Sequence, residues 1–146
     1  MGTELDTRGW DIVGTTTDNR FFCVEHGVLA VLPLSRRIDD ERTANETWVF
    51  EHDYFRGLGH PGVALVFIDG LASQDAEARR VYQERVTPFV AGKGLIAESL
   101  LGRAIASFVL GIRKPRTPIK MFGTFDEALP WARAQLAATT PQGPPR

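Results

Sequence analysis

The stretch Val63 to Gly70, VALVFIDG, constrains the fold more than any other part of the chain. It is an apolar run closed by Asp69 and Gly70, and Gly59, Pro61 and Gly62 bound it on the other side. A short apolar run between breakers reads as a fully buried central strand, which needs apolar cover on both faces. Helical segments before and after it supply that cover, so the fold class is α/β. An acid at the carboxyl end of such a strand lies at the rim where open α/β sheets carry their sites.

The elements around it follow in order. Arg20 to Leu34 gives two β-rich runs around His26-Gly27, the signal of an antiparallel hairpin, with Pro33 ending the second run or lying at an edge. From Ile38 to Leu58, Asp39, Asp40 and Glu41 suit a helix amino terminus, and Ala44, Trp48, Phe55 and Leu58 fall near helical spacing. TWVFEHDYF within it is rich in strand-favouring residues, so 47–55 reads as helix or strand. After Gly70, Ser73 reads as an N-cap with Asp75 and Glu77 in the first turn, and Ala78, Val81, Tyr82, Arg85 and Val86 form the inward stripe of a helix.

Gly92-Lys93-Gly94 lacks the spacing of a phosphate loop and reads as a turn before a short strand at Leu95 to Ala97. The segment 99–112 then reads as a helix buried almost all round, its only polar or small stripe being Ser99, Arg103, Ser107 and Gly111. Pro118 to Phe122 is the last strand. Thr124 and Glu127 form a capping box for a helix starting at Phe125, in which Pro130 implies a bend or a loosened first turn. Residues 1–9 are expected to be flexible, 10–136 to form a single domain, and 137–146 to be a disordered tail.

At 146 residues and a formal net charge of -1, the chain fits one ordinary globular domain, and nothing global points to nucleic acid. Residues 1–73 carry 6 Arg and Lys against 12 Asp and Glu, while 74–146 carry 11 against 6, which predicts one basic pole if the fold keeps them apart. Cys23 is the only cysteine, so it forms no disulfide within the chain and is expected to pack in a strand. No run approaches the ~20 apolar residues of a membrane span. The amino terminus lacks the apolar core of a secretory signal, so a cytoplasmic location is expected.

No catalytic motif, cofactor motif or metal-ligand spacing emerges. His26, His52 and His60 are not joined by ligand spacing and read as structural or surface residues, so the chain is expected not to be an enzyme. Two regions stand out as contact surface. One is the loop Asp69 to Asp75, where Asp69, Ser73 and Asp75 leave the central strand and open a helix. The other is the basic stretch Arg103, Arg113, Lys114, Arg116 and Lys120, which contains no acid and suits an anionic or acidic partner. Apolar surface on 99–112 beyond what one sheet face covers predicts burial by another element, a second subunit or an apolar ligand, and a homodimer is favoured.

The carboxyl-terminal motifs Ser99 to Ile105 (Ser-x-x-x-Arg-Ala-Ile), Pro118 to Phe122 (Pro-x-x-Phe) and Ala128 to Trp131 (Ala-Leu-x-Trp), with the order of elements, resemble the SpoIIAA-like (STAS/SEC14-type) bacterial domains. The resemblance implies a STAS-like mixed sheet of about five strands with an antiparallel amino-terminal hairpin and about four helices. It also implies a non-catalytic regulatory or protein-interaction role, with small-molecule or lipid binding of SEC14-like type as the alternative. Antagonists of anti-sigma factors, which share the STAS fold, carry a phosphorylated Ser after an Asp at the start of the helix following the central strand. Asp75 matches that Asp, but Ala76 follows it, which leaves Ser73 as a displaced substitute. On this reading Ser73 acts as a cap rather than as a phosphoswitch.

Overall fold

The computed structural model describes residues 9–34, 37–85, 87–104 and 117–139. In chain order these form strands β1 (Asp11–Thr15), β2 (Asn19–Glu25), β3 (Val28–Pro33) and β4 (Arg37–Asp39), then helix α1 (Glu41–Leu58) and strand β5 (Gly62–Phe67). A 3-10 turn at Ile68–Gly70 leads to β6 (Leu71–Gln74), α2 (Ala76–Glu84) and β7 (Val90–Ile96). Helix α3 is described over residues 100–104, and β8 (Ile119–Phe122) and α4 (Phe125–Thr139) complete the order.

Six strands form one mixed sheet in the order β1-β2-β3-β5-β7-β8, with β5 between β3 and β7. β1, β2 and β3 are antiparallel neighbours, and β3, β5, β7 and β8 are parallel. The hairpin and the central strand lie where the sequence puts them, and the sheet gains β1 as an edge beyond the expected hairpin. β4 and β6 pair separately as a short parallel ribbon.

Alternation of side chains along the strands divides the core in two. On one face Phe22, Ala30, Val63, Leu65 and Ile96 pack against Ala128 and Ala132 of α4. On the other, Phe21, Leu29, Val31 and Ala64 pack against Phe55 of α1. α2 lies against α1 through Ala44, Ala78 and Val81.

Residues 47–55 are helical, because α1 is closed firmly at both ends. The Asp40 carboxylate accepts from Thr43 N (3.0 Å) while Thr43 Oγ1 accepts from Asp40 N (2.8 Å). At the other end Gly59, at φ 84°, donates its amide to Phe55 and Arg56 carbonyls. The inward stripe between these caps is Thr43, Thr47, Glu51 and Phe55, three of them polar.

Three local expectations are corrected. Gly92-Lys93-Gly94 is not a turn but the middle of β7. Its glycines make room for neighbours: a Cβ on Gly92 would stand 3.1 Å from the Trp131 ring, and one on Gly94 2.7 Å from Leu65. Ser73 is not the cap of α2. It pairs with Ile38 in the β4–β6 ribbon, and Asp75 caps the helix by accepting from Ala78 N at 2.9 Å. Arg85 ends α2 as its C-cap and lies exposed over the Trp48 ring at 3.9 Å rather than in the inward stripe.

Thr124 caps α4 through Glu127 N (3.2 Å), but the Glu127 carboxylate reaches Gly123 N, one residue earlier than a standard capping box. The helix continues through Pro130 to Thr139, three residues into the segment expected to be a tail. No helix among the described residues is long and apolar enough to cross a membrane.

Candidate functional site

The carboxyl ends of β5 and β7 meet at Asp69. Its carboxylate accepts hydrogen bonds from Glu98 N (2.8 Å), Ser99 N (2.9 Å) and Ser99 Oγ. Ser99 Oγ in turn accepts from Gly102 N at 2.9 Å, so Ser99 is the N-cap of α3 and Asp69 holds the cap in place. A Cβ on Gly102 would stand 2.2 Å from Asp69 Oδ1, which is why the third position of α3 is a glycine. Arg103 donates from Nε to Ala97 O at 3.3 Å and places its charge near Asp69. Burial pushes the Asp69 carboxyl up, but the bonds from Ser99 and Glu98 and the Arg103 charge more than offset it and leave it below the usual carboxylate value.

This rim brings together Asp69 and Arg103, which the sequence assigns to two separate contact regions. Asp75 stands beside the β4–β6 ribbon, donating its amide to Asp39 O at 3.0 Å. Arg113, Lys114 and Arg116 lie outside the described residues. The first turn of α3 departs from the all-round burial expected of it: Leu100 is 86% and Leu101 51% exposed, and of residues 100–104 only Gly102 is buried.

A second polar constellation lies between α1, α2 and the sheet, and no motif announced it. Lys93 Nζ, on the face of β7 toward α1, is 3.1 Å from Glu51 Oε1 and 4.6 Å from the Tyr82 ring centroid. Glu51 is fully buried, and its Oε2 has no hydrogen-bond partner among the described residues. Buried Asp39 accepts from Thr43 Oγ1 (2.7 Å), Tyr82 OH (2.9 Å) and Gln74 Nε2 (3.1 Å). Burial, together with the Asp39 and Glu51 charges, pushes the Tyr82 hydroxyl well above its ordinary value. Thr47 accepts from Asn19 Nδ2 at 2.9 Å and continues the seam. Apart from Glu51 Oε2, the seam ties α1 and α2 to the sheet by polar bonds that add to their apolar packing.

The histidines have separate settings. His52 Nδ1 is 2.7 Å from Thr87 Oγ1, His60 faces His26, and the Asp69 carboxylate is occupied by Glu98 and Ser99. Half-buried Cys23 donates from Sγ to Glu25 O at 3.6 Å. Among the described residues, no group of three or more His, Cys, Asp or Glu could hold a metal ion. Between edge strand β1 and α1 runs an open groove of about 1060 Å³, with Val13, Val49, Phe50, Asp53 and Tyr54 in its lining.

The model of a family described as a domain of unknown function, DUF7793, matches residues 58–135, and the chain belongs to that family. The matched region runs from the end of α1 through β5, the Asp69 rim and most of α4. No curated protein matches the sequence. The chain is similar in structure to an uncharacterized protein of the DUF3478 family from Shewanella loihica PV-4, described as having a SpoIIAA-like fold. The identity is 14% over 90% of this chain and 98% of that one, with a TM-score of 0.48.

Proposed function

We propose that this member of the DUF7793 family is a non-catalytic regulatory domain that works by binding another protein, with the rim around Asp69 as its contact surface. The observation that carries the reading is the exposure of Leu100 and Leu101 on a helix start that Asp69 and Ser99 hold in place. Two leucines presented from a fixed turn lose little freedom on binding, and the charges of Asp69 and Arg103 beside them give a polar rim to an apolar centre, with Asp75 on the same proposed surface. Ser73, Arg113, Lys114 and Arg116 belong to the same proposed surface, and the cytoplasm is its proposed location. A second copy of the chain is one partner that this surface would accept, giving an isologous homodimer.

Light scattering over a wide concentration range, on the wild type and on Leu100→Asp with Leu101→Asp, tests the homodimer. A dimer that the double variant abolishes supports it. For a different partner, proteins retained by the immobilised wild type from native extract are purified and titrated against both forms. Equal binding by both forms overturns the proposed surface.

The groove between β1 and α1 favours a second reading, a small apolar ligand or lipid. Its volume is at the upper end of ligand sites, about 300–1,000 Å³, and Val13, Val49, Phe50 and Tyr54 line it. Displacement of a fluorescent fatty acid, lost on Val49→Asp, would support that reading, and absence of any displaceable probe binding would remove it.

A further inference from the structure

His26 and His60 are 34 residues apart and meet at the end of the sheet opposite Asp69. His26 occupies the β2–β3 turn with Gly27, whose φ is 83°, and His60 stands between Gly59, the αL cap of α1, and Pro61. Parallel pairing of Val28 with Val63 sets these two turns side by side, and Val63 N donates to Gly27 O at 2.9 Å to pin them. The two Nε2 atoms are 2.6 Å apart, with the rings inclined at 54°.

The tautomer of His60 follows from its other nitrogen. Nδ1 is 2.8 Å from Pro61 O, and a carbonyl only accepts, so Nδ1 carries the proton and Nε2 turns its lone pair toward His26. Metal-bound imidazoles are oriented in this way, by a hydrogen bond from the far nitrogen to a backbone carbonyl. Glu25, which precedes His26 in the chain, has its carboxylate committed to Arg133 through bonds of 3.0 and 2.7 Å.

The geometry points to a site for a divalent transition-metal ion of the zinc class, held by His26 Nε2 and His60 Nε2. Bonds of about 2.0–2.1 Å at a tetrahedral angle set the two nitrogens about 3.3 Å apart. The ring of His26, which is exposed, opens the pair by less than about 1 Å to reach this separation. In the metal-free pair His26 Nε2–H donates to His60. On binding, that proton passes through solvent to His26 Nδ1, so a neutral pair releases none. Water fills the remaining positions, which makes the ion exchangeable.

Calorimetric titration of the untagged full chain with Zn²⁺ at pH 7.5 tests the site. One ion per chain is expected, with affinity falling about tenfold or more in His26→Gln and in His60→Gln and unchanged in His52→Gln. Long-range ¹H–¹⁵N spectra of the wild-type imidazoles need no variant and read the same event. Both Nε2 signals of the pair should move on adding Zn²⁺. Absence of Zn²⁺ binding by the wild type, wild-type affinity in both pair variants, or a shift confined to His52 would each overturn the proposal.

Discussion

Lys93 Nζ lies 3.1 Å from Glu51 Oε1 inside the protein, with Glu51 1% and Lys93 16% exposed. Removing one member of such a pair leaves the other charge without compensation, whereas removing both is far cheaper. Lys93→Met is therefore expected to destabilise by about 3–5 kcal/mol. The double replacement Glu51→Leu with Lys93→Met should recover most of that loss. Urea unfolding of the two variants against the wild type reads it, and a double variant no better than Lys93→Met would contradict it.

Asp69 makes stability depend on pH in a predictable direction. Its folded carboxyl titrates below the ordinary value, so its contribution is fully present at neutral pH and lost as pH falls below about 4 through the folded value. Asp69→Asn should cost about 1 kcal/mol at pH 7 and progressively less as pH falls through the folded value, where the wild type loses the same charge. Thermal melts of both forms across that range should converge toward low pH.

The chain has two tyrosines, Tyr54 and Tyr82, and both hydroxyls are shifted upward. Burial, with a smaller contribution from Cys23, pushes Tyr54 up to about 12, and Tyr82 is raised by burial and by Asp39 and Glu51. Absorbance at the tyrosinate band should stay flat from about pH 9.5 to 11 in the folded protein, while the chain in urea titrates near pH 10. Both groups hold their protons longer when folded, so stability falls as pH rises above about 10. A folded-state step near pH 10 would contradict the burial of both hydroxyls.

Asp75 and Ser73 differ in what they do for α2. Asp75→Ala should cost about 1 kcal/mol because it removes the acceptor for Ala78 N, and Ser73→Ala should leave that cap intact. Chemical denaturation of the two single variants separates them.

Much of the frame could be read from the chain. The central strand, the hairpin turning at His26-Gly27, the helix after the central strand, though its cap is Asp75 and not the expected Ser73, and the capped start of α4 rest on local signals, and the structure repeats them. What escaped has tertiary causes. Gly92 and Gly94 carry the signature of a turn, yet they are glycines because the Trp131 and Leu65 side chains occupy the space of a Cβ. α1 was ambiguous because TWVFEHDYF is rich in strand-favouring residues, and the partners that hold its buried Thr43, Thr47 and Glu51 come from Asp39, Asn19 and Lys93 in other elements. Asp69 was recognised as a rim residue, but its bond to Ser99 exists only once β5 and β7 are neighbours. His26 and His60 meet through the pairing of β3 with β5, which no spacing in the sequence encodes.

The cap of α3 also bears on the order in which the chain assembles. Ser99 is held by a carboxylate 30 residues upstream, so the full set of bonds that starts this helix cannot form within a local segment. Helix nucleation is costly, and here part of its help arrives only after β7 has crossed over and aligned with β5. A fragment beginning at Glu98 would lack that help. In the refolding chain the turn presenting Leu100 and Leu101 is then one of the late events, completed after the parallel strands beneath it have found their register.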